Sequence, residues 1–245
     1  MLADADIQLP ETGVLRGLLE ALEAHPAAVA AVDEPIKDVV FSAEGGGLGR
    51  MSGLVSEVAK AGPPKLCGQL YAARAGALRK MYLPEPLLVE DGLIKAMLVT
   101  DNFTQAEDVN RLVRAAGCFH VYEAERKFSA IYRHEKRILI GSLCNFLLFA
   151  RLREVAAAGE EPGAWLKAKV MEDGEWFRGL IRKELRGRFL WVSMLKQVAG
   201  PFRQLRHFRG AGWLKAFPAV AARSLFQAAV AVGAGLDLKR GRLAW

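Results

Sequence analysis

Residues 2–10 read Leu-Ala-Asp-Ala-Asp-Ile-Gln-Leu-Pro. A short apolar lead is followed by two carboxylates at alternate positions, Asp4 and Asp6, and then by a proline that marks a turn. Mg²⁺ and Mn²⁺ prefer oxygen ligands and usually share them with a diphosphate. The stretch therefore predicts a metal site with Asp4 and Asp6 as ligands. The structural alternative is that both are ordinary turn residues, because Asp is common in turns.

The composition is that of a globular protein with a basic balance. The chain has 245 residues, of which 52% are hydrophobic and 25% charged, with a formal net charge of +7. Such a charge suits phosphorylated substrates, anionic lipid headgroups or nucleic acid. The three cysteines are far apart and odd in number, which indicates reduced thiols in a cytosolic compartment rather than a zinc site or a disulfide framework.

Strands alternate with helices up to about residue 125, which indicates an α/β layer. Leucine spacing predicts a helix over 12–24, capped by Thr12. The remaining elements are predicted as strands at 27–32, 36–41, 66–73 and 118–123, a glycine loop at 45–49, helices at 50–61, 75–81, 93–99 and 107–116, and a helical region from 131 onward. A Gly-Glu-Glu-Pro-Gly linker at 159–163 divides the chain into predicted regions 1–158 and 164–245.

Two further motifs carry chemistry. Glu90 and Asp91 open a predicted helix. They are either a capping pair that the helix dipole stabilises or a catalytic pair in which Asp91 is a general base that takes a proton from a hydroxyl. The cluster from His134 to Arg137 is either a solvated helix face or a set of cations that holds a diphosphate. The isolated His25, His120 and His207 are interpreted as structural or surface residues.

Taken in order, these stretches resemble the catalytic core of family 2 glycosyltransferases with a GT-A fold. Residues 2–10 resemble the Asp-x-Asp segment of that family, and 68–74 (Gly-Gln-Leu-Tyr-Ala-Ala-Arg) resemble the acceptor-side strand that re-enters the sheet. Val89-Glu90-Asp91 resembles the Glu-Asp motif, and 134–138 fall where the family has Gln-x-x-Arg-Trp. The resemblance covers about residues 2–150, with Val89, His134 and Ile138 as departures from the common pattern.

The resemblance implies a truncated GT-A-type, Rossmann-like sheet with flanking helices. It implies transfer of a sugar from a nucleotide-diphosphate donor to a hydroxyl acceptor, with inversion and with Mg²⁺ or Mn²⁺ held by Asp4 and Asp6. Asp91, next to Glu90, would be the base, and Arg137 with His134 would hold the diphosphate. Tyr71 and Arg74 either line the acceptor cleft or pack in the core. The strands that hold the base and ribose in that family precede this segment, so we expect the chain alone to be poorly stable and inactive.

The C-terminal region is basic and aromatic. Nine Lys and Arg residues between positions 178 and 209 are interleaved with seven Trp and Phe residues between 176 and 213. Such helices suit an anionic membrane surface, and 214–236 is apolar enough to form an interfacial or re-entrant helix, the alternatives being a membrane-spanning helix and a soluble core helix. We therefore expect a protein on the cytoplasmic face of the membrane with a lipid-linked or envelope acceptor, the alternative location being the cytoplasm.

Two other functions compete with sugar transfer. One is a non-catalytic basic module that binds membrane or, less favoured, nucleic acid. The other is a dinucleotide-binding oxidoreductase based on the glycine loop at 45–49, in which the third glycine of the Gly-x-Gly-x-x-Gly fingerprint is missing.

Overall fold

The computed structural model describes residues 1–40, 63–184 and 212–242, and these form an α/β structure. The strands are β1 (Leu2–Ala3), β2 (Ala30–Lys37), β3 (Leu70–Ala73) and β4 (Leu112–Tyr122). The α-helices are α1 (Val14–Ala24), α2 (Ala75–Leu78), α3 (Glu90–Val99), α4 (Phe128–Ala157), α5 (Pro162–Glu172), α6 (Trp176–Glu184) and α7 (Gly212–Lys239). Short 3₁₀ turns cover Asp38–Val40 and Val109–Arg111. The α/β prediction is thereby confirmed.

The four strands form one mixed sheet in the order β1-β3-β2-β4. β3 runs antiparallel to both β1 and β2, whereas β2 and β4 are parallel. Leu2 pairs with Tyr71, and Val32 pairs with the same residue from the other side. The carboxyl end of β1, the amino end of β3 and the middle of β2 therefore lie next to one another.

Helix α1 covers one face of the sheet. Val14, Leu18 and Leu22 are buried against Leu70 and neighbouring strand residues, while Leu15 and Leu19 are exposed. The predicted helix is confirmed, but Thr12 is not its cap. Gly13, with φ of +94°, precedes the first helical residue, and a left-handed backbone of this kind favours glycine.

One strand, β2, stands where two short strands were predicted at 27–32 and 36–41. Asp33-Glu34-Pro35 lies between the two predicted strands. In the structure it continues β2, and the register of the pairing with β4 shifts at this point. Val32 faces Arg114 and Glu34 faces Phe119, so β4 carries extra residues at this point.

The helix predicted at 107–116 is wrong. A single 3₁₀ turn over Val109–Arg111 is followed directly by β4, which begins at Leu112 and pairs with Ala30. Parallel pairing with β2 satisfies the backbone here, and Leu112, Ala115 and Cys118 are buried. The predicted strand at 118–123 is the second half of β4. The predictions for 66–73, 75–81 and 93–99 correspond to β3, α2 and α3.

The chain divides into two compact units. The first comprises Met1–Leu83, Glu90–Arg126 and Arg151–Leu166, and it contains the sheet. The second comprises Pro84–Val89, Lys127–Ala150 and Lys167–Trp245, and its described secondary structure elements are helices. The linker predicted at 159–163 lies within the first unit. The glycine loop at 45–49 and the helix predicted after it lie outside the described residues, as does much of the basic region at 185–211. Among the described helices, none combines the length and apolarity needed to cross a membrane.

Candidate functional site

Asp4 lies at the carboxyl end of β1, beside the residues that precede β3. Its backbone N–H donates to the carbonyl of Gln69 at 2.8 Å, which extends the pairing of β1 with β3 by one residue. The side chain is exposed. The strand pairing therefore brings the first predicted metal ligand against the segment from Cys67 to Gln69.

Asp91 approaches the same segment from α3. It lies in the first turn of that helix, and its Oδ1 accepts from the Gly92 backbone N–H at 2.7 Å. A Cβ built on Gly68 would lie 3.2 Å from the Asp91 Cβ, closer than side chains normally pack. Gly68 thus allows the backbone to pass directly against the predicted base.

The charges of both carboxylates affect the pKa of the Cys67 thiol. Burial raises the pKa of this thiol, and the negative charges of Asp91, Asp33 and Asp4 raise it further, against a hydrogen bond from the Gln69 backbone that lowers it. Asp4 and Asp91, which are 87 positions apart in the sequence, therefore contact the same short segment, Asp4 through its hydrogen bond to Gln69 and Asp91 through its packing against Gly68. This juxtaposition is the main geometric finding of the first unit.

Tyr71, which was predicted to line the acceptor cleft or to pack in the core, lies in β3. It is buried in β3 and packs with Val32, Ile94 and Leu98. Burial raises the pKa of its hydroxyl, and the carboxylates of Glu90 and Asp91 raise it further. Tyr71 is thus a core side chain, and the charges of Glu90 and Asp91 raise the pKa of its hydroxyl.

Arg74 connects β3 to α1. Its Nε donates to the carbonyl of Ala28 and its Nη2 to the carbonyl of Leu22, both at 2.8 Å. Leu22 is in the last turn of α1, where carbonyls lack partners within the helix. These bonds correspond to the packing interpretation of Arg74 rather than to the acceptor-cleft interpretation.

Asp6 lies in the exposed turn after β1. Two residues later, the Gln8 and Val121 backbones exchange hydrogen bonds of 2.8 and 2.9 Å. Asp6 is therefore in the short connection that crosses from the β3 side of the sheet to β4.

His134 and Arg137 belong to α4 in the second unit and are exposed. Arg137 Nε donates to the carbonyl of Leu88 at 3.2 Å, and Asn145 Nδ2 donates to the carbonyl of Val89 at 2.7 Å. A Cβ on Gly141 would overlap the Val89 side chain. One face of α4 therefore holds the residues that directly precede Glu90 in the chain.

A buried polar network includes Cys67 and Gln69, from the segment that Asp4 and Asp91 contact. His120 Nδ1 is 2.7 Å from Asp33 Oδ2, and its Nε2 is 3.2 Å from Gln69 Oε1, which also accepts from the Cys67 thiol at 3.4 Å. The side chains of Asp33 and His120 are fully buried. If both ring nitrogens donate, the pair is a buried imidazolium and carboxylate, whereas a reversed Gln69 amide leaves the ring neutral.

Little in the sequence predicts this network. His120 is interpreted from the sequence as an isolated structural or surface histidine, and the sequence pattern assigns no partner to it. Asp33 and His120 are 87 residues apart and meet only because β2 and β4 are neighbours. The one available signal was a charged residue inside an otherwise apolar strand pattern, since a buried carboxylate needs a partner.

Asp4 and Asp6, the predicted metal ligands, are both exposed. In the part of the chain that the structure describes, no three His, Cys, Asp or Glu side chains converge as a metal-binding group. Mg²⁺ typically uses only one or two carboxylates and completes its shell with substrate phosphates and water. The metal role of Asp4 and Asp6 therefore stays a prediction, and it is one that two carboxylates could fulfil together with a diphosphate.

Under the sugar-transfer hypothesis of the sequence analysis, Gly68→Ala is expected to lower the transfer rate about tenfold, because the new methyl group would move Asp91 by a few tenths of an ångström. The measurement is the transfer rate beside that of Gly76→Ala, where an added Cβ meets nothing within 4 Å. Equal rates in the two variants would contradict a positional role for Gly68.

Comparisons of the chain with protein-family models, with curated protein sequences and with solved structures give no significant match.

Proposed function

We propose that the first unit is the metal- and acceptor-binding part of an inverting glycosyltransferase that uses a nucleotide-diphosphate sugar. One observation carries the proposal: Asp4 and Asp91 both contact the segment from Cys67 to Gln69. The Asp4 backbone N–H donates to the Gln69 carbonyl at the end of β1, and the Asp91 Cβ packs against Gly68 at the start of α3. An Asp-x-Asp segment and a Glu-Asp segment need to face one cleft if they are to serve a single reaction.

The strand order supports a sheet of the GT-A type. The stretch 68–74, which resembles the acceptor-side strand of family 2 glycosyltransferases, contains β3, and β3 is antiparallel to both of its neighbours. It enters the sheet beside β1, which ends at the Asp-x-Asp segment.

In the proposed reaction, the Asp91 carboxylate takes the proton of the acceptor hydroxyl as that oxygen bonds to the anomeric carbon. The bond from the same carbon to the diphosphate oxygen breaks on the opposite side, which inverts the configuration. Mg²⁺ or Mn²⁺ held by Asp4 and Asp6 would supply positive charge to offset the charge growing on the departing diphosphate. The diphosphate-holding role of Arg137 and His134 stays a prediction of the resemblance, since both belong to the second unit.

Glu90 has a supporting role in this proposal. It is exposed at the start of α3, and its charge reaches the Tyr71 hydroxyl together with that of Asp91.

The test is calorimetric titration of the purified chain with a nucleoside diphosphate, in the presence and absence of Mn²⁺. We expect weak binding that requires Mn²⁺, because Asp4 and Asp6 would engage the diphosphate through the metal while the base and ribose gain no contacts from this segment. Binding that is indifferent to Mn²⁺, or no binding with Mn²⁺ present, would contradict the proposal.

Asp4→Ala and Asp6→Ala are each expected to weaken Mn²⁺-dependent binding of the donor by about 10- to 100-fold, the range seen when the groups around a metal are altered. Asp108→Ala is a matched control, because this exposed Asp caps the Val109–Arg111 turn away from the cluster. Unchanged Mn²⁺ dependence in both Asp4→Ala and Asp6→Ala would remove the proposed metal site.

A further inference from the structure

The two units carry opposite charge. Of the 34 Lys and Arg residues in the chain, 20 fall in the second unit, together with 7 of the 27 Asp and Glu residues, which gives that unit a net charge of +13. The first unit retains 14 basic and 20 acidic residues and has a net charge of −6. The basic balance of the protein is thus a property of the second unit alone.

Helix α7 of this unit exposes a stripe of bulky apolar side chains. Phe217, Leu225, Val232 and Leu236 are 44%, 73%, 55% and 47% exposed. Their spacings of eight, seven and four residues place them on one face of the helix. The α7 stripe, defined by these four residues, is followed at the helix end by the exposed Lys239, Arg240 and Arg242.

The other face of α7 is occupied by α4. The Phe128 and Phe226 rings are 5.5 Å apart edge to face, Lys136 pairs with Asp237 at 2.6 Å, and Gln227 donates to Glu135 at 3.3 Å. Val230, Ala234 and Leu238 are buried on this side. These contacts fix the rotation of α7 about its axis, so the stripe points outward as a property of the packed unit.

We propose that the α7 stripe binds an anionic lipid surface, with the helix lying in the plane of the interface. Apolar side chains on one face and basic residues at the helix end are a combination that acyl chains and anionic headgroups bind together. A second copy of the chain would bring together two units that each carry a net charge of +13, and nucleic acid would match the charge while leaving Leu225 and Val232 in water. The inference does not depend on sugar transfer.

The experiment is flotation of the full chain with vesicles of phosphatidylcholine, with and without phosphatidylglycerol. We expect flotation with the anionic vesicles and little with phosphatidylcholine alone, and we expect added salt to reduce it. Leu225→Glu combined with Val232→Glu is expected to lower the partition coefficient at least tenfold. Leu15→Glu combined with Leu19→Glu, at exposed positions of α1 in the first unit, is the matched control and should float like the wild type.

Three outcomes would overturn the proposal. The first is equal flotation of the wild-type chain and the α7 double variant when circular dichroism shows that both are folded. The second is equal partitioning into anionic and neutral vesicles. The third is a lipid-free dimer or a nucleic-acid complex that the α7 substitutions disrupt, because the stripe would then be covered by another protein chain or by nucleic acid.

Discussion

Asp91→Asn is expected to lower sugar transfer by about 10²- to 10⁴-fold, the range that a positioned general base contributes. The amide keeps the size of the carboxylate and its hydrogen bond from Gly92, but it cannot accept the acceptor's proton at neutral pH. Donor binding, which depends on Asp4 and Asp6 in this account, should stay within about threefold of the wild type, which is under 1 kcal/mol.

The measurement is the steady-state rate of transfer together with the dissociation constant of the donor for the same preparation. Asp101→Asn is the matched control, because Asp101 pairs with Arg111 at 3.1 Å after α3 ends, outside the Cys67 cluster. Near-normal turnover in Asp91→Asn would exclude Asp91 as the base. A loss of donor binding equal to the loss of rate would show that the carboxylate holds the donor or its metal.

His120→Ala is expected to lower the free energy of unfolding by about 3–5 kcal/mol, because it leaves the buried Asp33 carboxylate without its partner. Asp33→Ala should have a similar effect for the converse reason. His25→Ala, at an exposed histidine that contacts the end of α1, should change stability by less than about 0.5 kcal/mol.

Urea denaturation followed by circular dichroism measures these differences. The double variant Asp33→Val with His120→Phe should recover part of the loss, because two apolar groups leave no buried charge uncompensated. Destabilisation by His120→Ala of less than about 1 kcal/mol would contradict the buried pair. Additive losses in the double variant would indicate that the two side chains act independently.

The elements that the sequence predicts well are those whose pattern is local. The leucines of α1, the apolar run of β3 and the acidic first turn of α3 each specify their own structure. The misassigned segments depend on distant partners. The local pattern of residues 112–116 predicts a helix, but parallel pairing with β2 makes them part of a strand. Asp33-Glu34-Pro35 lies between the two strands that the local pattern predicts, but it is part of β2, and the Asp33 side chain contacts His120 of β4.

The same distinction holds for the candidate site. Residue type and order along the chain predict a chemical role for Asp4, Asp6, Glu90 and Asp91. The sheet then brings Asp4 to the segment that Asp91 packs against. Nothing in the spacing of Cys67, Gln69 and His120 indicates that they form a network under that site. Arg74 shows the converse, since its place in the motif suggested a ligand contact and its bonds go to backbone carbonyls of Leu22 and Ala28.

The pKa of the Cys67 thiol tests the shared cleft most directly, and its measurement requires neither substrate nor activity. The rate of alkylation as a function of pH gives this pKa in a chain that carries Cys118→Ala and Cys144→Ala. We expect Asp4→Asn and Asp91→Asn each to lower the pKa and to speed alkylation at a fixed pH below it, because each removes a negative charge that disfavours the thiolate. Asp108→Asn should leave it unchanged. A Cys67 pKa that responds to neither Asp4→Asn nor Asp91→Asn would place the two carboxylates apart and contradict the common cleft on which the proposed reaction rests.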